Sequence, residues 1–345
     1  MHGSIRISGI KNGHVQGIAV DEKNGHMYFS FTTCLIKTDM DGNVIGSVQG
    51  LCGHLGCIAF CPKDNRVYGS LEYKHDSIGA GIMQRLGESR DIADGFYVAI
   101  FDVAKINGCN MDAELDGVMT AVHLAEVLED FSAEGHRYGC SGIDGITFAP
   151  APGDTSGKKD LYVAYGIYGD VSRDDNDYQV ILRYGTEDWK EYERPLNQDN
   201  MHRCGPKKPD GKYFVYTGNT TYGVQNLEYD QYSGYMLAAV YRGRKESFPN
   251  FPMFAIDLNA SASYKELKNT SECADQLVLA KTGVHDEKTD IYGIEHPYGA
   301  TGMISLGNGL FYFSEDFKEN GTWGTEVKLY RFCKESGRFT PWDKE

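Results

Sequence analysis

The chain has 345 residues and a formal net charge of −15, a balance that repels phosphate backbones and anionic bilayers and so excludes general nucleic-acid and membrane-surface partners. No apolar stretch approaches the ~18 residues that a membrane span needs. Glycine is high at 41 residues and tyrosine, at 23, exceeds phenylalanine, at 16, a bias expected of many short strands joined by turns that need positive φ. Helical periodicity is confined to residues 112–116 and 124–134.

In chain order, Ser4-Ile-Arg-Ile-Ser reads as a strand, and then comes the phrase His14-Val-Gln-Gly-Ile-Ala-Val-Asp. It recurs, degraded, as His54-Leu-Gly-Cys-Ile-Ala-Phe, Gly142-Ile-Asp-Gly-Ile-Thr-Phe, Gly223-Val-Gln-Asn-Leu-Glu-Tyr and Gly299-Ala-Thr-Gly-Met-Ile-Ser. Each copy leads through a turn into a second hydrophobic run, beginning at Met27, Val67, Leu161, Tyr235 and Leu310. A strand, a tight turn and an antiparallel partner, five times over, predict a radial array of small sheets. The interval from Ile18 to Ile58 matches the ~40 to 45 residues of a four-stranded blade. The next three intervals are nearly twice as long, which predicts insertions in blades two to four or, failing that, a degenerate sixth or seventh blade. Third and fourth strands are expected at Phe96 and Val118 in blade two and at Gln179 and Tyr213 in blade three, with Pro252 opening the third strand of blade four. Residues 259–292 have no assigned place. The last blade runs from Glu326 to Trp342, and Ser4-Ile-Arg-Ile-Ser is expected to pair at its edge and close the ring.

The repeats resemble those of β-propellers, and their number resembles the five-bladed class, over nearly the whole chain as one domain, residues 1–345. That class includes arabinanase-like glycosidases, sugar-binding lectins and calcium-dependent nucleotidases; none of their signatures can be carried onto residues here. The resemblance implies an all-β fold of four-stranded antiparallel blades and says nothing of a reaction.

In an antiparallel blade the start of the innermost strand and the end of the second lie at the same end of the sheet, so both sets of residues should open on one face of the ring. That rule gathers His14, Gln16, His54, Asp144, Gln225, Asn226, Tyr222 and Tyr298 from strand starts. From strand ends it adds Glu72, Lys74 and His75, Tyr165, Tyr241, Arg242, Arg244 and Glu315. Glu315 is preferred to Asp316 because its parity matches Phe313 and Phe311. His136, His202 and His296, each in a run ending in glycine, are expected nearby.

These residue types suit acid–base chemistry on a polar small molecule. The candidate catalytic groups are His14, His54, Glu72, His75, Asp144 and Glu315, as imidazole and carboxyl acids and bases. The candidate substrate-binding groups are Gln16, Lys74, Tyr165, Tyr222, Gln225, Tyr241, Arg242, Arg244, His296 and Tyr298. The strand ends differ from blade to blade, which predicts one composite site rather than repeated binding sites. The expected function is therefore a carbohydrate-active enzyme, either a glycosidase with two carboxylates or a uronate-type lyase with a histidine or tyrosine base and Lys74 or Arg242 facing the carboxylate. Two alternatives are a non-catalytic propeller that binds a ligand or protein, and a calcium-dependent lactonase or phosphoesterase. In the last, Asp144, Gln16, Gln225 and Asn226 would hold the ion; no other cofactor is required.

The nine cysteines are scattered. Cys57 and Cys61 share a strand face about 13 Å apart, too far to hold one zinc ion. Free thiols predict a reducing cytoplasm. The Met1-His-Gly-Ser start reads as a strand rather than an export signal, although sequons at Asn219, Asn259, Asn269 and Asn320 leave room for a secreted protein whose signal has been removed.

Overall fold

A computed structural model describes residues 4–342. Five small antiparallel sheets stand around a central channel, and the chain is a five-bladed β-propeller. The five copies of the repeated phrase are the inner walls: Val15–Asp21, His54–Cys61, Cys140–Ala149, Thr221–Asp230 and the short Met303–Ser305. Each touches its neighbours in ring order, and the fifth returns to the first.

Four of these inner strands carry a bulge at the same place, between Val15 and Gly17, Leu55 and Ile58, Ile143 and Ile146, and Val224 and Asn226. An extra residue in one strand re-aims its side chain, and here it turns Gln16, Asp144 and Gln225 toward the channel mouth. The glycine that follows serves the close approach of neighbouring inner strands. A Cβ on Gly17 would lie 2.9 Å from the backbone of Cys57 and Ile58, and one on Gly145 2.8 Å from Val224 Cγ1.

The second strands carry a matching repeat. Tyr28 stacks on Phe60 of the next inner strand with centroids 6.0 Å apart, and Tyr68 meets Phe148 edge-on at 5.1 Å. Two residues on, the Ser30 hydroxyl donates to the Gly56 carbonyl at 2.6 Å and the Ser70 hydroxyl to the Asp144 carbonyl at 2.5 Å. The first blade thus binds the second, and the second the third, by one aromatic contact and one hydrogen bond. The expected third and fourth strands of blades two and three are present as Gly95–Phe101, Met119–His123, Tyr178–Tyr184 and Gly211–Tyr216.

Three expectations, one on blade four and two on helices, need correction. The 259–292 tract, which had no assigned place, holds no further blade, in keeping with the insertions expected in blades two to four. Its Ser263–Glu266 and Cys273–Leu277 extend blade three, the latter pairing in parallel with Gly211–Tyr216, while Val284–Asp286 and Ile291–Gly293 form a hairpin. Blade four keeps three strands, with Ile294 and Leu279 bridging to Met253 and Ile256. Residues 112–116 form turns closed by Asp112 and Asp116 side chains, not a helix. The expected helix at 124–134 is present as Ala125–Ser132, but a second, Ser77–Leu86, lies outside the two stretches to which helical periodicity was confined.

Ser4–Ile10 pairs antiparallel with Thr322–Cys333 in blade five, so the two ends of the ring are joined by hydrogen bonds; Arg338–Pro341 takes the other half of the same edge. Ile7 points into the core at 3% exposure. Ile7→Ala should therefore cost about 2–4 kcal/mol, read as a lower denaturation midpoint in urea; an unchanged midpoint would mean that the closure adds nothing to the ring. All nine cysteines are free thiols. Among the described residues no helix is long and apolar enough to cross a membrane.

Candidate functional site

The mouth of the channel opens into a cavity of ≈ 300 Å³ lined by residues from four of the five blades. Nine of the residues expected there meet in it: His14, Gln16, His54, Glu72, Lys74, Asp144, Tyr222, Gln225 and Tyr241. Ser141, Ile143, Gly166 and Ile78 complete the wall.

Glu72 and Asp144 are both buried, at 4% and 6% exposure, yet their surroundings treat them oppositely. One Glu72 oxygen accepts from the Lys74 ammonium at 2.7 Å and the other from the Ile143 amide at 2.9 Å. Burial works against its charge, but Lys74 and His54 outweigh it and hold the carboxyl below its usual range. Lys74 donates further to the Ser141 carbonyl at 2.8 Å and stands 3.5 Å from Asp76, so despite burial its pKa is raised. Asp144 has less support. Its Oδ1 accepts from the Cys57 amide at a long 3.3 Å, and burial pushes its pKa up to about 7, the Glu72 charge adding to the rise.

Glycines make room for both carboxyl groups. A Cβ on Gly56 would lie 2.1 Å from Asp144 Oδ1, and one on Gly142, where φ is +124°, 2.0 Å from Glu72 Oε2. The two carboxylates thus lean over backbone that tolerates no side chain.

The two histidines also diverge. His54 Nδ1 faces Glu72 Oε1 at 3.6 Å, an ion-pair distance too long for a hydrogen bond. Burial depresses this imidazole, but Glu72 and Asp144 more than compensate and its pKa is raised. For His14 burial prevails and the pKa is lowered. Its Nδ1 lies 2.9 Å from the Val15 carbonyl, which can only accept, so Nδ1 carries the proton and Nε2 offers its lone pair to the Gln16 amide at 3.3 Å. The cavity therefore holds both an oriented imidazole, depressed by burial, and a carboxyl group whose pKa burial has raised.

Tyr222 stands at the rim, 47% exposed and in the left-handed region at φ +65°. A non-glycine residue there is uncommon. Its carbonyl accepts from the Gln225 amide at 3.1 Å, and its ring meets Tyr241 edge-on at 6.3 Å. Tyr241 is half-buried, and its hydroxyl is pushed up to about 12 and stays protonated.

The remaining expected residues lie elsewhere. His75 is exposed, held by Asp91 and Asp94 at 2.9 Å each, and lines a neighbouring cavity instead. Tyr165 is fully buried between blades, its hydroxyl donating to Asp130 at 2.9 Å; the next residue, Gly166, is the one that faces the mouth. Glu315 pairs with Lys328 at 2.7 Å on the outer part of blade five. The strand does not end there, because Leu310–Glu319 continues as a long hairpin, and the parity shared with Phe311 and Phe313 is that of the packing face. The charge of Asp316, on the other face, is the one felt by His14 and Tyr241.

Arg242 is exposed and bound to Glu295 and the Asn250 carbonyl, and Arg244 is exposed beside Lys245 and Phe248, so neither reaches the cavity. His296 is buried in a cage of Tyr298, Phe313, Tyr330 and Phe339, where burial lowers its pKa to about 4; Tyr298 belongs to the same cluster. His136 packs between Phe131 and Tyr168, and His202 against Tyr97.

The oxygen set considered for calcium is partly committed. Asn226 donates across the channel to the Gln16 and Ala300 carbonyls at 2.8 and 3.0 Å, leaving its Oδ1 buried without a partner. Asp144 is the one carboxylate of that set. Among the described residues no group of three or more His, Cys, Asp or Glu side chains gathers as metal ligands would.

No protein-family model matches the chain, and no curated protein does. Solved structures similar to it include the Dos1 propeller, at 10% identity and a TM-score of 0.33, with 96% of this chain covering 58% of that one. The soluble aldose sugar dehydrogenase of Escherichia coli shows 9% identity and a TM-score of 0.37, covering 97% of this chain and 100% of that one. A GH43 β-1,3-galactosidase with galactodeoxynojirimycin shows 12% and 0.41, with coverage of 97% and 95%. Likeness at this level carries nothing about chemistry.

Proposed function

We propose that the protein is a carbohydrate-active enzyme that cleaves an acidic sugar by elimination at the channel mouth. The arrangement that carries this reading is an imidazole and a carboxyl group lining one cavity, His14 oriented through Nδ1 with its Nε2 toward the Gln16 amide, and Asp144 with its pKa raised by burial to about 7. His14 Nε2 removes the proton α to the uronate carboxylate. The electron pair forms the ring double bond, the bond to the leaving glycosidic oxygen breaks, and Asp144 supplies that oxygen's proton. Lys74, with the His54 imidazole beside it, faces the charge that builds on the carboxylate, and Tyr222 offers a ring face to the sugar.

The hydrolytic alternative is less well supported, because it needs a second available carboxylate and both Glu72 oxygens are already bound. Oligouronides of several linkages, followed by the absorbance of the unsaturated product, test the reading. His14→Ala should lower kcat by about 10²–10⁴-fold, while Glu315→Gln and Arg244→Ala leave it unchanged. Full activity in His14→Ala, or saturated products only, would refute the eliminative mechanism.

A further inference from the structure

A second cavity, ≈ 250 Å³, adjoins the first, and His54, Glu72, Lys74 and Ile78 line both. Its far wall is the helix Ser77–Leu86. Asp76 caps that helix through the Ile78 and Gly79 amides, stands 3.5 Å from Lys74, and accepts the Tyr168 hydroxyl at 3.1 Å. The helix is thereby fixed to Lys74 and to blade three. Gly79 allows the fit, since a Cβ there would fall 1.8 Å from the Lys74 carbonyl.

Beyond the shared residues the lining combines an aliphatic patch, Ile82 and Met83 from the helix with Ile92 opposite, with the Tyr73 ring and a polar edge of His75, Asp76, Arg90 and Asp91. The cations at its edge are already paired, Arg90 with Glu88 and Asp199, and His75 with Asp91 and Asp94. A second charged sugar would find no free counter-ion in this cavity, whereas a methyl group would find an apolar surface.

We propose that this cavity is a second subsite, which takes the sugar unit next to the cleaved one and prefers a unit bearing an apolar substituent, such as a deoxy, O-methyl or O-acetyl group. The inference rests on the reading of the mouth as a glycan site, and the shared wall makes the two cavities one continuous path. One methyl group in an apolar pocket is worth about 10-fold in discrimination.

Methyl NMR titration tests the subsite without requiring turnover. The probe is a uronate-containing tetrasaccharide with methyl-substituted neighbouring units, compared with its unsubstituted analogue. The Ile92 and Met83 methyl signals should move, with affinity about 10-fold higher for the substituted glycan. Ala80→Trp, placed on the exposed side of the helix where it lines only this cavity, should abolish that preference. Methyl signals that stay still, equal affinities, or a preference that survives Ala80→Trp would each overturn the subsite. Cleavage of the same glycans, scored separately, reports on the mouth: binding with the expected preference but no unsaturated product would sink the eliminative reading and leave the subsite standing.

Discussion

Asp144→Asn should make the protein more stable and inactive at once. Burial pushes this carboxyl up to about 7 in the folded protein, against about 4 for an unperturbed aspartate. Between pH ~4 and ~7 the unfolded chain therefore loses this proton while the folded chain keeps it, so stability falls as pH rises through that window and levels off above it. Three pH units correspond to about 4 kcal/mol as a ceiling, and roughly 2–4 kcal/mol of stabilisation at pH 7.5 is the expected gain in the amide variant, which can still accept from the Cys57 amide. Denaturation curves of both proteins at pH 4.5 and 7.5 check the sign. Their difference should be small at the lower pH and large at the higher one. Comparing the two proteins also removes the similar contribution of Glu228, which burial pushes up to about 8. Activity should fall at least 10²-fold, since the leaving oxygen loses its proton donor. Stability exchanged for function in this way is common at active sites.

The Glu72–Lys74 pair should show the opposite behaviour. Lys74→Met strands a buried carboxylate with His54 as its main counter-charge, and Glu72→Gln strands a buried ammonium between Asp76 and the Ser141 carbonyl. Each single change should cost about 3–5 kcal/mol, because breaking a buried pair leaves an uncompensated charge. The double variant should be closer to the wild type than Lys74→Met alone. A double-mutant cycle by chemical denaturation measures the coupling; simple additivity would mean that the two charges are solvated independently.

Much of the ring was legible because its physical demands recur. The bulge and close approach at Gln16-Gly17, Asp144-Gly145 and Gln225 leave the same residue types in successive copies, and the strand that closes the ring has to be supplied from one end of the chain. The site followed where a residue sits at or next to a true strand end: His54 begins its strand, His14 directly precedes one, and Glu72 is the last residue but one of another. It failed where parity was applied to a strand that continues, at Glu315, and where alternation turned a residue into the core, at Tyr165. The Ser77–Leu86 helix had usable signals in the Asp76 cap and the left-handed Gly87, but Gly79 and Gly81 lower helix propensity and masked them. No local pattern could reveal that residues 263–277 cross to blade three, since their partner strand lies about sixty residues earlier, Tyr213 facing Asp275.

Everything proposed for the mouth depends on Asp144 holding a proton where an ordinary carboxylate would not. Carbon-13 NMR of the aspartate carboxyl groups, with the Asp144→Asn spectrum identifying the resonance, follows that proton directly. A midpoint near pH 7 is the predicted result; a midpoint at or below about 4, the range of an unperturbed aspartate, would contradict it and leave the cavity without its acid.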